Sequence, residues 1–244
     1  MSKVNIVIPM AGAGSRFSEA GYEVPKPFIH INGKMMIERV LDGLAYDGAT
    51  YTLIIQRSFR DTYGKELQAL VNLYDVKFVE LERMTQGAAC TALLAHHEID
   101  PECPVIFADS DNIFQTGIID EFLNNCGMHG YSGALVTFNS SADCYSYAEL
   151  DKEGLVTRTV EKEVVSDYAI AGIYYFETGA TFVDAAIKNV CYGNTTKGEY
   201  YVSNLYNCLV QNRERVGVHT IEASRWNCVG TPAQLDEYLK YKNS

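Results

Sequence analysis

The segment from Val4 to Pro27 constrains the fold of this chain more than any other stretch. An apolar run, Val4–Ile8, leads directly into the loop Met10–Arg16, which contains two glycines. Such a run predicts a buried strand, and glycines without Cβ atoms let a ligand approach the backbone of the turn that follows. Consecutive N–H groups in a turn of this kind form a concavity that binds anions. We therefore expect a strand that ends in a phosphate-binding loop.

Two cations accompany that loop. Arg16 carries a planar guanidinium that can grip phosphate oxygens, and Lys26 contributes a point charge. Lys26 lies between Pro25 and Pro27, whose rings restrict the backbone on both sides of it. A β-to-α turn without a ligand is the alternative, but the two cations favour a functional loop.

Two common phosphate-binding motifs do not match the loop. The dinucleotide fingerprint requires a small residue three positions after its second glycine, where this chain has Phe17. A P-loop requires Gly-Lys followed by Ser or Thr, whereas Gly33–Met35 continues into methionine and lacks the upstream glycine. The loop therefore belongs to neither class.

Further along the chain, apolar residues alternate between helical and strand-like spacing. This alternation predicts a parallel sheet flanked by helices, with ligands at the carboxyl ends of the strands. The predicted helices are Met35–Leu44 and Thr62–Leu73, and the predicted strands are Tyr51–Ile55, Val76–Leu81, Val105–Ala108 and Tyr131–Phe138.

The best metal candidate follows the apolar strand Val105–Ala108. Asp109 and Asp111 flank Ser110 at the end of that strand, and Asn112 comes next. Carboxylates at the end of a buried strand are costly unless a cation meets them, and Mg²⁺ bound to a nucleotide would do so. The alternative is a helix cap for a segment that begins near Thr116.

The second half of the chain changes to an antiparallel pattern. Ser146–Gly154 reads as a hairpin into Leu155–Val160, and Ala169–Phe176 is a further strand, which together predict an antiparallel insertion over the sheet. At the end of the hairpin, Glu161 can accept hydroxyl protons while Lys162 meets a phosphate. A solvated charge run is the alternative for this pair.

Near the C-terminus, two segments are predicted to form helices. Gly198–Tyr206 is expected to lead a helix whose tyrosines serve packing, and Thr231 with Pro232 is suited to cap the last helix.

Composition limits the cell compartment and the partners. The chain has 244 residues, enough for a single domain, and its net charge of -11 argues against a nucleic-acid partner. Its seven cysteines form no Cys-x-x-Cys pair, which indicates reduced thiols. Because no apolar stretch is long enough to span a bilayer, we expect a cytoplasmic protein without membrane contact.

The pattern Gly-x-Gly-Ser-Arg-Phe followed by Pro-Lys-Pro resembles the signature of the sugar-nucleotide pyrophosphorylases. The resemblance is co-linear from Gly12 to Thr231. It implies a Rossmann-like, three-layer α/β/α domain with a mostly parallel sheet and a small antiparallel β insertion. Residues 1–138 would form the nucleotide-binding half and residues 139–244 the acceptor-binding half.

The resemblance also implies a reaction. An NTP would transfer its NMP to a phosphorylated acceptor, in the first place a sugar 1-phosphate, and release pyrophosphate. The product would be an activated precursor for surface polysaccharide-type synthesis. Mg²⁺ would be the cofactor, and a homo-oligomer is compatible with the sequence.

The resemblance assigns roles to individual residues. A glutamine can pair with the imide or amide edge of a nucleobase, which suits Gln86 beside Gly87, although a simple helix start is the alternative. The expected catalytic residues are Arg16, Lys26 and Asp111, and the expected metal ligands are Asp111 and Asp109. The expected nucleotide-binding residues are Met10, Ala11, Gly12, Ala13, Gly14, Ser15, Gln86 and Gly87. The expected acceptor-binding residues are Tyr147, Glu161, Lys162 and Gly172.

One position departs from the family pattern. Cys228 stands where well-known members have an aspartate as second metal ligand, and a cysteine is a poor ligand for Mg²⁺. Either Asn227 helps through water, or Asp111 holds the ion with nucleotide phosphates and water.

Three other functions stay open. Cytidylyl transfer to a phosphorylated non-sugar acceptor is one. A metal-dependent glycosyltransferase could use Asp109-Ser110-Asp111, but it has no need for Arg16 and Lys26 around a triphosphate. A non-catalytic nucleotide sensor is suggested only by Cys228.

Overall fold

The computed structural model describes residues 3–242, and a nine-stranded sheet forms its centre. Within the described residues the strands are β1 (Val4–Pro9), β2 (His30–Ile31), β3 (Lys34–Met35), β4 (Ala49–Gln56), β5 (Val76–Leu81), β6 (Val105–Ala108), β7 (Asn112–Phe114), β8 (Gly133–Asn139), β9 (Ser146–Leu150), β10 (Val156–Glu161), β11 (Tyr168–Phe176), β12 (Val216–Thr220) and β13 (Trp226–Cys228). The helices are α1 (Ser15–Glu19), α2 (Met36–Gly43), α3 (Ser58–Thr62), α4 (Gly64–Tyr74), α5 (Ala88–Leu93), α6 (Ile118–His129), α7 (Gly179–Cys191), α8 (Leu205–Gln211) and α9 (Pro232–Lys242).

The sheet is mostly parallel. Its central strands run in the order β12-β8-β11-β6-β1-β4-β5, and β11 is antiparallel to both of its neighbours β8 and β6. The pairs β8/β12, β6/β1, β1/β4 and β4/β5 are all parallel. The predicted Rossmann-like α/β fold is therefore confirmed.

Helices cover the two faces of the sheet, which gives three layers. Along β1, Ile6 and Ile8 point into one apolar core and Val7 into the other, as the two-residue period of a strand requires. The first core contains buried residues of α2, α4 and α6, and the second contains buried residues of α5, α7 and α8.

The sheet forks beside the end of β6. Strand β11 pairs with β6 through Ile173–Phe176, but beyond the end of β6 the same edge of β11 bridges to β9 through Ala169. The hairpin of β9 and β10 therefore extends the central sheet. It does not lie over a face of the sheet as predicted, because β6 ends early and leaves this edge of β11 free for pairing.

Several local expectations need correction. The predicted helix Thr62–Leu73 is interrupted at Tyr63, which separates α3 from α4. The residues after Asp111 form β7, and α6 begins after Gly117, so the helix-cap alternative for Asp109 and Asp111 does not hold. At the last helix, the N–H of Gln234 donates to Thr231 Oγ1 at 3.3 Å, which supports the predicted cap.

Two further findings concern the chain as a whole. All seven cysteines are free of disulfides. Among residues 3–242, no helix is both long enough and apolar enough to cross a bilayer.

Candidate active site

Two connected cavities lie where β1 and β6 end. The main cavity has a volume of about 640 Å³, and an inner chamber of about 230 Å³ adjoins it. The residues shared by both linings are Ala88, Asp109, Asp111, Tyr174 and Val202. The carboxylates of Asp109 and Asp111 thus stand at the junction of the two spaces. This placement agrees with the rule that ligands bind at the carboxyl ends of parallel strands.

The glycine loop is fixed to the neighbouring strand β4. Met10 N–H donates to Ile54 O at 2.9 Å, and Gln56 Nε2 donates to Ala11 O at 3.0 Å. The side chains of Met10 and Ala11 are buried, whereas Gly12, Ala13, Ser15 and Arg16 are exposed. Gly14 has φ of +63° and stands directly before α1, so its backbone takes the left-handed conformation that glycine favours. The exposed part of this loop is the part that a phosphate can reach.

Lys26 and Asp111 form the ion pair at the centre of the site. Lys26 Nζ lies 2.8 Å from Asp111 Oδ2, and each side chain keeps about a fifth of its surface exposed, 21% for Lys26 and 22% for Asp111. Lys26 lines the inner chamber, and Arg16 lines the main cavity. The structure therefore brings the three residues predicted to be catalytic to the same pair of spaces.

Asp109 sits deeper than Asp111. Its Oδ2 accepts a hydrogen bond from Asn112 Nδ2 at 3.3 Å, and its N–H donates to Gly172 O at 3.0 Å. Burial, reinforced by the neighbouring charge of Asp111, raises the pKa of Asp109 to about 8. A cation bound beside Asp109 would offset this cost of burial and stabilise its ionised form.

Gly172 makes the close approach of these groups possible. A Cβ atom at this position would overlap Asp109 Oδ2 and Asn112 Nδ2, and its φ of +81° is a conformation that L side chains rarely adopt. The register of β11 against β8 shifts between Ile170 and Tyr174, which marks the irregularity that holds Gly172. Gly172 thus leaves room for the side chains of Asp109 and Asn112, and it does not itself line the main cavity.

The donor set fits Mg²⁺ that is held partly by a substrate. Among the described residues, no three His, Cys, Asp or Glu side chains converge as a complete metal site. Mg²⁺ commonly uses only one or two carboxylates together with phosphate and water oxygens. Asn112 adds a buried Oδ1 atom that has no hydrogen-bond partner among the described residues. Asp109 and Asp111 can therefore serve as ligands when nucleotide phosphates complete the coordination.

Cys228 stands beside this cluster. A Cβ at Gly230 would lie 2.5 Å from Asp111 Oδ2 and 3.5 Å from Cys228 Sγ. Burial and the charge of Asp111 raise the pKa of Cys228 to about 12, so it remains a neutral thiol. The thiol donates to Gln234 Oε1 at 3.6 Å. It is a poor ligand for Mg²⁺ in this form.

Across the main cavity, Glu161 and Lys162 lie side by side at the end of β10. Glu161 Oε2 accepts hydrogen bonds from Ser203 Oγ at 3.0 Å and from Ser146 Oγ. Lys162 Nζ donates to the Tyr201 hydroxyl at 2.8 Å, and this bond raises the pKa of Lys162. The serines fix one carboxylate oxygen, so the other is the one a ligand can use.

Gln86 and Gly87 lie outside both cavities, although the next residue, Ala88, lines them. Gln86 Nε2 donates to Gly198 O at 3.0 Å. A Cβ at Gly87 would lie 2.6 Å from the backbone N and O of Tyr200, so glycine is required by this packing. The turn is thus attached to the segment 198–200 of the second half.

Tyr147 is not placed as expected. Its side chain is completely buried in the core, and its hydroxyl donates to Ala142 O at 2.7 Å. It does not line the main cavity. The expected contact between Tyr147 and an acceptor is therefore corrected to a packing role, because the alternation along β9 turns this side chain inward.

The sequence reasoning missed several cavity residues. Tyr201 was expected to pack a helix, but it precedes α8 and lines the main cavity with Lys197. Ser146 and Ser203 were not assigned roles, although both hold Glu161. The clusters of polar residues around Glu161 come from distant parts of the chain, so no local pattern identifies them.

Comparisons with known proteins agree with this geometry. The family model described as nucleotidyl transferase matches residues 6–243. The bifunctional protein GlmU of Lactobacillus helveticus is 27% identical over 223 residues, which cover 88% of this chain and 46% of that protein, so the chain spans about half of its length. The 2-aminoethylphosphonate cytidylyltransferase of Lancefieldella rimae is 22% identical over 237 residues, covering 96% of this chain and 91% of that protein.

A solved structure shows the same fold. The nucleoside-diphosphate-sugar pyrophosphorylase of Vibrio cholerae RC9 superposes with a TM-score of 0.85 at 24% identity, over 96% of this chain and 99% of that one.

Proposed function

The chain belongs to the nucleotidyl transferase family, and from that premise we propose that it transfers an NMP from an NTP to a phosphorylated acceptor and releases pyrophosphate. The observation that carries this proposal is the Lys26–Asp111 ion pair at the junction of the two cavities. Arg16 of the glycine loop and the pair Glu161 and Lys162 line the same main cavity as Asp111. A nucleotide and an acceptor would therefore meet beside Lys26 and Asp111.

No covalent intermediate is needed in this reaction. The acceptor phosphate is already a nucleophile at neutral pH, so catalysis consists of alignment for in-line attack on the α-phosphorus and of charge stabilisation. Lys26 would turn from Asp111 to the charge that develops at the α-phosphate, and Arg16 would hold phosphate oxygens. Asp109 and Asp111 would hold Mg²⁺, which neutralises triphosphate charge when it is bound.

The acceptor would occupy the main cavity. Glu161, fixed by two serines, would accept hydrogen bonds from acceptor hydroxyls, as a sugar 1-phosphate provides. Lys162 and the exposed Lys197 supply positive charge for the acceptor phosphate. Cytidylyl transfer to a non-sugar acceptor is the second candidate, since a relative over nearly the whole chain carries that name. The glycosyltransferase alternative leaves Arg16 and Lys26 without a use.

Other parts of the proposal concern the setting of the reaction. Free thiols at all seven cysteines favour the cytoplasm, and Mg²⁺ is the expected cofactor. The division into a nucleotide half, 1–138, and an acceptor half, 139–244, is part of the same proposal.

Pyrophosphate release tests the function directly. The purified protein would be incubated with Mg²⁺, each of the four common NTPs, and a panel of sugar 1-phosphates and phosphorylated alcohols. We expect pyrophosphate and a new nucleotide-linked product from at least one pair, and none without the acceptor. The proposal would be contradicted if the acceptor were converted to product without an NTP, or if no pair of NTP and acceptor gave pyrophosphate.

A further inference from the structure

A third cavity, here called the side chamber, adjoins the main cavity. Its volume is about 440 Å³. The two spaces share the side chains of Tyr145, Trp226, Cys228 and Gln234. An acceptor in the main cavity could therefore extend past these four side chains into the side chamber.

The side chamber has aromatic walls. The ring centroids of Phe138 and Trp226 lie 4.6 Å apart, and those of Tyr145 and Trp226 lie 6.2 Å apart. Tyr238 lines the same space. The faces of aromatic rings carry partial negative charge and attract ammonium groups, with tryptophan the strongest of them.

The side chamber carries negative charge. Among its described lining residues, Glu237 carries the one ionised side chain, and Lys and Arg are absent. Arg225 is adjacent to Trp226 in sequence, but its guanidinium is engaged by Glu121 through hydrogen bonds of 2.6 and 2.8 Å. The guanidinium of Arg225 is therefore not available to the carboxylate of Glu237.

The main cavity differs from the side chamber because it holds cations as well as carboxylates. Lys162 and Lys197, assigned above to the acceptor phosphate, line it together with Arg16 and the carboxylates of Asp109, Asp111 and Glu161. A molecule that spans both spaces would have Lys162 and Lys197 in the main cavity, and aromatic rings with a carboxylate in the side chamber. This polarity matches a zwitterion, with a phosphate at one end and an ammonium group at the other.

We propose that the side chamber binds an ammonium group at the end of the acceptor remote from its phosphate. This inference rests on the proposed function and narrows its acceptor to phosphorylated amino compounds. Phosphorylated amino alcohols and amino sugar phosphates share this chemistry. A neutral sugar phosphate would leave Glu237 without a charged partner in the complex.

Trp226 makes a direct binding test available, because it is the single tryptophan of the chain. Choline would be titrated into the protein without nucleotide, at constant ionic strength, while tryptophan fluorescence is recorded. Its neutral isostere 3,3-dimethyl-1-butanol would be titrated in parallel. We expect saturable quenching by choline and at least a fivefold weaker response to the alcohol.

Matched variants identify the carboxylate in the same assay. Glu237→Gln keeps the shape of an exposed side chain and should weaken choline binding at least threefold. Asp236→Asn, its neighbour on α9, does not line the chamber and should leave binding unchanged. An equal response to choline and the neutral alcohol, or identical affinities for Glu237→Gln and the unmodified protein, would overturn the inference.

Turnover separates this inference from the proposed function. Phosphocholine would be compared with 3,3-dimethylbutyl phosphate, and glucosamine 1-phosphate with glucose 1-phosphate. In one of the two pairs, we expect the KM of the amine to be at least tenfold lower than the KM of its neutral counterpart. The pair that shows this difference tells whether the acceptor is an amino alcohol or an amino sugar. Glu237→Gln should make the two KM values of that pair equal. Equal KM values within both pairs would refute the ammonium subsite while leaving nucleotidyl transfer intact. Absence of pyrophosphate with every acceptor would instead refute the function, and the fluorescence assay would still decide the subsite.

Discussion

At the scale of single residues, Lys26 offers the sharpest test of the site. We expect Lys26→Ala to lower kcat by about 100-fold or more and to change the KM for NTP far less, because the ammonium would meet charge that develops in the transition state. Steady-state kinetics measure this split. Lys34→Ala is the matched control, since Lys34 also pairs with an aspartate, Asp42 at 2.7 Å, but on the exposed surface. Full turnover by Lys26→Ala would show that the loop has no central role.

The two aspartates should differ in severity. Both aspartates line the two cavities, but the Asp111 carboxylate contacts Lys26, whereas the Asp109 carboxylate is already held by Asn112. We therefore expect Asp111→Asn to abolish Mg²⁺-dependent turnover and Asp109→Asn to reduce it less. Binding of Mn²⁺ in the presence of NTP, followed by electron paramagnetic resonance, gives an independent measure. The reverse order would mean that the principal ligand is Asp109.

Candidate site residues could be identified from the sequence where charged side chains closely follow a predicted strand. Asp109, Asp111, Arg16 and Lys26 are local signals, and the structure brings them to one junction. Tyr147 could not be assigned correctly, because its role depends on which face of β9 is buried. Whether these residues act as proposed stays a prediction for the variants above.

At the scale of elements, the irregularity in β11 is the feature that shapes the site. A Cβ in Gly172→Ala would overlap groups of Asp109 and Asn112, and the left-handed backbone adds strain of about 1 to 3 kcal/mol. We expect a lower Tm together with weaker Mn²⁺ binding in the presence of NTP. Thermal unfolding and metal titration measure the two effects separately.

Gly154 supplies the control for Gly172. It has the same φ of +81° in the turn of the β9–β10 hairpin, but a Cβ there meets no atom within 4 Å. Gly154→Ala should therefore lower the Tm through backbone strain but leave Mn²⁺ binding unchanged. Equal metal affinity in the two variants would mean that Gly172 does not position Asp109.

The longer strands were predictable because their apolar runs are bounded by turns, whereas the short strands β2, β3, β7 and β13 were not predicted. Val105–Ala108 and Val76–Leu81 coincide with β6 and β5 as predicted. The placement of the hairpin was not predictable, since its pairing with β11 depends on where β6 ends. The break between α3 and α4 was also missed, because apolar spacing continues across Tyr63.

At the scale of the whole molecule, the segment 198–203 adds a link between the two halves beyond the strand pairing of β11 with β6. Gly198 O accepts from Gln86 Nε2, and Tyr200 O accepts from Ala89 N–H at 2.9 Å. The same segment carries Tyr201, which binds Lys162, and Ser203, which binds Glu161. The sequence indicated separate nucleotide and acceptor halves but gave no sign of this connection, because Gln86 and Gly198 are 112 positions apart.

This connection changes the expected effect of Gln86→Ala. Loss of the amide should alter the ranking of NTPs by about 1 to 3 kcal/mol if Gln86 reads the base. It should also raise the KM for the acceptor a few fold, because the segment that carries Lys197 and Tyr201 loses a tether. Gln68→Ala removes an exposed amide bonded only to Asn72 among the described contacts, and it should change neither quantity.

Glu161→Ala provides the opposite half of this test. Its carboxylate lies only on the acceptor side, held by Ser146 and Ser203, so its loss should raise the KM for the acceptor and leave the NTP ranking unchanged. Steady-state kinetics with two NTPs and two acceptors would measure both variants. If Glu161→Ala changed the NTP ranking, or Gln86→Ala changed acceptor KM alone, the division of the chain into two halves would have to be abandoned. The tether from Gln86 to Gly198 would then act on the acceptor side alone.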